Sequence, residues 1–140
     1  MATLVHLQTI QNPKGKLTVF EKLLSGGIKR VFYIYDSENE IRGGHRHRYS
    51  SHALICVSGS CRVYVNDGEN EEVFELDSPE KCLMLEPKDW RKMYDFDSSS
   101  ILFCMSNQYY DPDDYITESY PQIQKKSKKD FEMLVNQIKN

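Results

Sequence analysis

Between Thr3 and Ser106 the chain is a succession of short runs rich in β-branched and aromatic residues. Each run is closed within a few residues by Gly, Pro, Asn, Asp or Ser, and no helical repeat intervenes. That punctuation disfavours a βαβ architecture and points to an antiparallel sandwich or barrel. The runs are Thr3 to Thr9, Lys16 to Phe20, Ile28 to Tyr35, His52 to Ser58, Cys61 to Val65, Glu71 to Leu76, Lys81 to Leu85, Trp90 to Phe96 and Ile101 to Ser106. Asn66-Asp67-Gly68-Glu69-Asn70 is a hairpin signal, because Asn and Asp-Gly tolerate positive φ. Ser58-Gly59-Ser60 reads as the turn after which the chain returns. About ten strands are expected. Past Tyr109 to Tyr115, read as a loop or single helical turn, Ser127-Lys128-Lys129-Asp130 forms a capping box. Phe131, Leu134, Val135 and Ile138 follow at helical spacing, which predicts one short C-terminal helix from Asp130 to Ile138.

The 140 residues suffice for a single domain spanning 1–140, and a formal charge of −3 gives no bulk attraction to nucleic acid or an anionic membrane. No apolar run approaches a membrane span, and the N-terminus lacks a secretory signal, so a cytoplasmic location is expected. Cys56, Cys61, Cys82 and Cys104 sit among apolar neighbours without a CxxC pair, which predicts reduced, buried thiols.

The chemistry concentrates in Arg42-Gly43-Gly44-His45-Arg46-His47-Arg48 and the strand opened by His52. His45 and His47 are two apart and so share one side of a strand. Followed by His52 and then Gly59, they have the spacing of the first metal-binding motif of the cupin superfamily, with His52 where a carboxylate usually stands. Three imidazoles can hold zinc or iron. Against a metal, Arg91 and Lys92 occupy the place of the later histidine that completes such a site. The competing reading is metal-free acid/base chemistry, since imidazole takes and returns protons near neutrality. Arg42, Arg46 and Arg48 crowd the histidines and suggest an anionic ligand; Arg30, Arg42 or Arg62 would suit its phosphates. A neighbouring Arg46 or Arg48 charge is expected to keep an imidazole basic by depressing its pKa.

The strings Ile28-Lys29-Arg30-Val31-Phe32-Tyr33-Ile34, Arg42 to Arg48, Cys56 to Val63, Asn66-Asp67-Gly68, Leu76-Asp77-Ser78-Pro79 and Ser106 to Asp111 resemble the dTDP-4-keto-6-deoxyglucose 3,4-ketoisomerases, from about Leu7 to Tyr120. The resemblance implies an all-β fold, the cupin double-stranded β-helix or jelly roll. It also implies a homodimer with exchanged N-terminal strands, no cofactor and no metal, and a dTDP-linked keto sugar as substrate. His45 and His47 take the place of the family's two histidines beside C3 and C4 of the hexose. Tyr33 or Tyr35 takes that of its tyrosine, with Tyr33 assigned to catalysis and Tyr35 to substrate. Arg42 helps hold the substrate. Two positions depart from the pattern: His52 stands where glutamine is usual, and Arg91, after Trp90, where histidine is usual. Both are expected near the pocket, and His52, Arg91 and Trp90 are counted with Arg42, Arg30 and Arg62 as substrate-binding. A metal-dependent cupin enzyme using His45, His47 and His52, and a non-catalytic nucleotide-sugar binding domain, are the alternatives.

Overall fold

The structure, a computed structural model, describes residues 1–121. The helix expected from Asp130 to Ile138 lies outside the described residues. Strands β1 (Thr3–His6), β9 (Lys81–Leu85), β6 (His52–Ser58), β11 (Ile101–Ser106) and β4 (Arg30–Tyr35) form one five-stranded antiparallel sheet in that spatial order. A second five-stranded sheet runs β12 (Tyr115–Ile116), β5 (Arg42–His47), β10 (Trp90–Tyr94), β7 (Cys61–Asn66), β8 (Glu71–Leu76). Strands β2 (Gln8–Asn12) and β3 (Gly15–Val19) make a separate two-stranded ribbon. Among the described residues there are thus twelve strands where about ten were expected. The opening run is split at Leu7 into β1 and β2, and the two-residue β12 was read as loop or helical turn; the 3₁₀ turn Pro112–Asp114 before it fits the turn reading.

One expectation fails in an informative way. The chain does not return beside β6 after Ser58-Gly59-Ser60 but crosses to the opposite sheet as β7. Gly59 makes the corner with φ of +66°, and a Cβ there would stand 2.3 Å from an Asp97 carboxylate oxygen. The Asn66–Asn70 turn does close a true hairpin, pairing Cys61 with Leu76 through Asn66 with Glu71.

Inward-facing Leu54, Cys56, Cys61, Val63, Val65, Leu76, Leu83, Leu85 and Leu102 fill the space between the sheets. This is the period-2 outcome expected of strands with one face on a core. The outer face of the first sheet is apolar too, and Leu7, Phe20 and Leu24 from the N-terminal segment cover Ala53, Ile55, Cys82 and Met105 there. All four cysteines are buried and unpaired, as expected. No helix among the described residues is long and apolar enough to cross a membrane.

Candidate active site

Toward the β12–β5 edge the two sheets part around a cavity of about 290 Å³ lined by Arg30, His45, His52, Arg91, Cys104 and Tyr115, with Phe32, Leu54 and Leu85 as apolar wall. Ligand pockets start near 300 Å³, so this one has room for a sugar ring rather than for a whole nucleotide sugar. Strand β5 supplies the imidazoles: His45 lines the cavity, and His47 lies buried behind it, the ring centroids 4.9 Å apart. His52 comes from the facing sheet, its ring centroid 4.6 Å from that of His47 and its plane tilted by 39°. The structure thus gathers the three histidines that their spacing singled out.

Arg91 is placed by a β-bulge. Its register partner is His45, while the next residue, Lys92, pairs with Gly43, so one residue of β5 is extra. Gly43 permits the close approach: its φ is +87°, and a Cβ would stand 2.9 Å from the Arg91 carbonyl oxygen. The buried Arg91 guanidinium donates to the Asp89 and Glu86 carbonyls. Burial lowers its pKa to about 10, so it stays protonated at neutral pH.

Burial, and then the Arg91 charge, lower His45 and His47 to about 4 and His52 to about 2. All three are neutral at pH 7. Expectation had assigned this effect to Arg46 or Arg48, but both turn away from the cluster. Arg46 donates to the Glu118 carbonyl and lies over the Tyr120 ring, and Arg48 donates to the Asp113 carbonyl. Lys92 also faces outward, over Trp90.

Two functional residues escaped the sequence reading. Asp114 is buried and receives the His47 Nδ1–H at 2.7 Å, the Ser50 hydroxyl, and the backbone N–H groups of Arg48 and Tyr49 at 3.0 and 2.7 Å. Burial alone would raise its pKa, but those hydrogen bonds outweigh it and hold the carboxyl at about 2. The carboxylate fixes the His47 tautomer, leaving the Nε2 lone pair without a partner among the described residues. Tyr115 pairs in register with His47, its ring 4.6 Å from His47 and 4.9 Å from His45. Its hydroxyl accepts a hydrogen bond from Arg30 at 3.3 Å. The only advance signal for either residue was the acidic, aromatic run Tyr109 to Tyr115.

Several expected site residues lie elsewhere. On β4, Arg30, Phe32 and Ile34 point inward, so Tyr33 and Tyr35 stand on the outer face, exposed and stacked on each other at 5.9 Å. Tyr33 nonetheless lines the cavity, with most of its surface exposed. Arg62 alternates with the core residues Cys61 and Val63, faces outward and is paired with Asp95. Trp90 is also on the outer side, packed with Tyr64 and Tyr94 and donating to the Thr117 carbonyl. It borders a separate groove with Glu40, Gly44 and Lys92. Arg42 is exposed and borders both that groove and the cavity, and Arg30, His52 and Arg91 line the cavity as expected.

A metal does not fit this donor set. The Asp114 bond leaves the His47 Nε2 lone pair open, as in a metal-ligating histidine, but the buried Arg91 cation that disfavours a proton on each imidazole would oppose a dication as well. Among the described residues, no group of three or more His, Cys, Asp and Glu side chains is arranged to hold one.

Because the histidines are charged more easily in the unfolded chain than in the fold, their contribution to stability has a definite sign. It is complete above the ordinary histidine pKa of 6.5 and is lost as pH falls from 6.5 toward 4. The expected result is a melting temperature that drops across this window, with the acid limb of kcat/KM displaced toward pH 4. Thermal melts and initial rates between pH 8 and 4 check both; an activity loss centred at 6.5 would contradict the depressed values.

Two facing antiparallel sheets around a cavity that holds imidazoles and a buried guanidinium make up the jelly roll of a cupin. The family model described as FdtA: WxcM-like, C-terminal matches residues 1–127, and the chain belongs to that family. A TDP-4-oxo-6-deoxy-α-D-glucose-3,4-oxoisomerase of Aneurinibacillus thermoaerophilus is 37% identical over 117 residues, covering 81% of this chain and 84% of the relative. Among solved structures, QdtA, a sugar 3,4-ketoisomerase from Thermoanaerobacterium thermosaccharolyticum in complex with TDP, superposes with a TM-score of 0.79 at 32% identity. It covers 93% of this chain and 96% of its own. WlaRA, a TDP-fucose-3,4-ketoisomerase from Campylobacter jejuni, gives 0.78 at 33% identity, covering 84% and 89%.

Proposed function

We infer that the protein is an isomerase that interconverts the 4-keto and 3-keto forms of a dTDP-linked 6-deoxyhexose. The observation that carries the reading is a neutral His45 facing a sugar-sized cavity beside the buried positive charge of Arg91. The C4 ketone acidifies the C3 proton. One His45 ring nitrogen is engaged by the Gly43 backbone, which leaves the other as base. Removal of the C3 proton gives an enediolate whose charge the Arg91 guanidinium stabilises, and return of the proton to C4 leaves the ketone at C3. His47 backs His45 and is held in one tautomer by Asp114. His52 and Arg30 contact the sugar, and Arg42 at the cavity mouth is placed for the diphosphate.

The test is incubation with dTDP-4-keto-6-deoxyglucose in deuterated buffer, followed by NMR of the sugar. Transfer of the ketone to C3 with deuterium at C4 is expected, at a rate that chelator leaves unchanged. Binding without exchange of the C3 proton would favour a nucleotide-sugar binding domain. Activity abolished by chelator and restored by one metal would favour the metal-dependent cupin.

The whole chain, 1–140, is taken as one cupin domain acting as a homodimer in the cytoplasm, with no nucleic acid or membrane partner. Supporting the dimer, Val31, Tyr33, Tyr35, Val57 and Ile101 form an exposed apolar patch on the first sheet. The β2–β3 ribbon joins neither main sheet and exposes Ile10 and Leu17. A lone two-stranded ribbon is marginal in water, so exchange of this arm with a partner is the arrangement that covers it. Sedimentation should show a species of twice the chain mass at micromolar concentration; a monomer alone would refute the assembly.

A further inference from the structure

The turn at 86–89, between β9 and β10, holds a buried acid to which no step of the isomerisation falls. Asp89 is fully enclosed. Its Oδ2 accepts the Glu86 backbone N–H at 2.8 Å, and its own N–H donates to the Glu86 carbonyl at 3.1 Å. The turn is thereby closed from both ends. The other carboxylate oxygen, Oδ1, has no hydrogen-bond partner among the described residues. The Met1 ammonium stands 4.0 Å from it but pairs with Glu86 at 2.6 Å.

Asn or Ser would close such a turn without taking a charge out of water. What calls for a carboxylate is the cation on the same turn. The buried Arg91 guanidinium donates from Nε to the Asp89 carbonyl at 2.8 Å and from Nη2 to the Glu86 carbonyl at 3.2 Å. These carbonyls belong to the two residues that the carboxylate ties together. They take one edge of the guanidinium fork and so fix its rotation, while Arg91 lines the cavity. Burial works to strip the proton from Arg91, and Asp89 is the foremost charge that holds it on. The Pro87 carbonyl accepts the His47 backbone N–H at 2.8 Å, so the guanidinium and the histidine strand are set against one frame.

We propose that Asp89 is a positioning residue for Arg91: its carboxylate holds the turn so that the guanidinium meets the enediolate oxygen in a fixed orientation. The role rests on the isomerase reading. Asp89 does not line the cavity and acts only through Arg91. A donor aimed beforehand stabilises developing charge without reorganising at the moment of reaction. An acid that merely held the turn together would stabilise the fold and leave the rate per folded molecule unchanged.

The test is a double-mutant cycle read as kcat and KM with dTDP-4-keto-6-deoxyglucose, on variants that melt cooperatively. Asp89→Ala is expected to lower kcat about 10²-fold, the cost of a small misplacement, with KM within a few-fold. Asp89→Asn keeps an acceptor for the Glu86 N–H but loses the charge, and kcat should fall about tenfold. Arg91→Lys keeps a cation but has no fork for the two carbonyls to orient. In that background either Asp89 change should lower kcat by no more than about twofold. Equal losses in the wild-type and Arg91→Lys backgrounds would overturn the proposal, and so would full activity in Asp89→Ala. Should that variant fail to fold, Asp89→Asn within about twofold of the wild type decides the same way. A second readout needs no turnover. In protein labelled with heavy nitrogen at arginine, the Arg91 Nε–H should exchange slowly with solvent, and at least about tenfold faster in Asp89→Asn. Unchanged protection would overturn the positioning role. Faster exchange in a protein without turnover would overturn the isomerase reading and keep the hold of Asp89 on Arg91.

Discussion

Replacing His45 with asparagine is expected to lower kcat by about 10²–10⁴-fold, the range that a positioned general base contributes, while KM changes only a few-fold. The asparagine amide is polar and near imidazole in size, so the cavity keeps its shape; what disappears is, among the described residues, the one cavity-lining imidazole with partial solvent access. His52 does not substitute, being buried with its pKa lowered to about 2 by burial and the Arg91 charge. KM is held by contacts away from the reacting carbons, so the loss falls on the chemical step. The same substitution at His47 should cost less, because His47 does not line the cavity and acts from behind. Steady-state rates for both variants beside the wild type are the measurement. Equal, full activity in His45→Asn would remove it from the mechanism.

The largest expected loss of stability comes from Asp114→Ala. Four donors converge on that carboxylate: the His47 ring N–H, the Ser50 hydroxyl and two backbone N–H groups. Each unsatisfied buried group costs about 1–3 kcal/mol, partly recovered where water enters, so a loss of at least about 3 kcal/mol is expected. Urea unfolding checks it, and an unchanged midpoint would show that the network contributes nothing. Asp114→Asn separates fold from chemistry. The amide fills the same space, but it can present its NH₂ to His47 Nδ1 only if the imidazole moves its own proton to Nε2. Stability should then fall less than in the alanine variant while kcat still falls.

How far these sites were legible in the sequence depends on the range over which each is specified. Short runs rich in β-branched, aromatic and other apolar residues and closed by turn residues, such as Cys61–Asn66 and Ile101–Ser106, were readable as strands from their neighbours alone. The His45–His47 pair was readable for the same reason, since a period of two is a local property. Strand β4 was not: both its faces are apolar or aromatic, so periodicity left open whether Arg30 and Phe32 or Tyr33 and Tyr35 face the cavity. The corner at Gly59 has the same local composition as a hairpin turn, and only the packing of two sheets selects the crossing. Arg91 reaches His45 through a bulge, which shifts register by one residue and cannot be counted from spacing. Asp114 meets His47 across 67 residues from a three-residue 3₁₀ turn, too short to show any period.

That last contact also hangs on a very short piece of chain. Asp114 ends the 3₁₀ turn Pro112–Asp114, and Tyr115 opens the two-residue strand β12 on the edge of β5. Where this strap lifts, His47 loses its carboxylate and the cavity loses Tyr115, while the core between the two sheets stays closed. The strap is held by few backbone bonds at a sheet edge, the kind of element that opens well below the global unfolding free energy. Heat should therefore silence the catalyst reversibly at temperatures where the barrel is still intact.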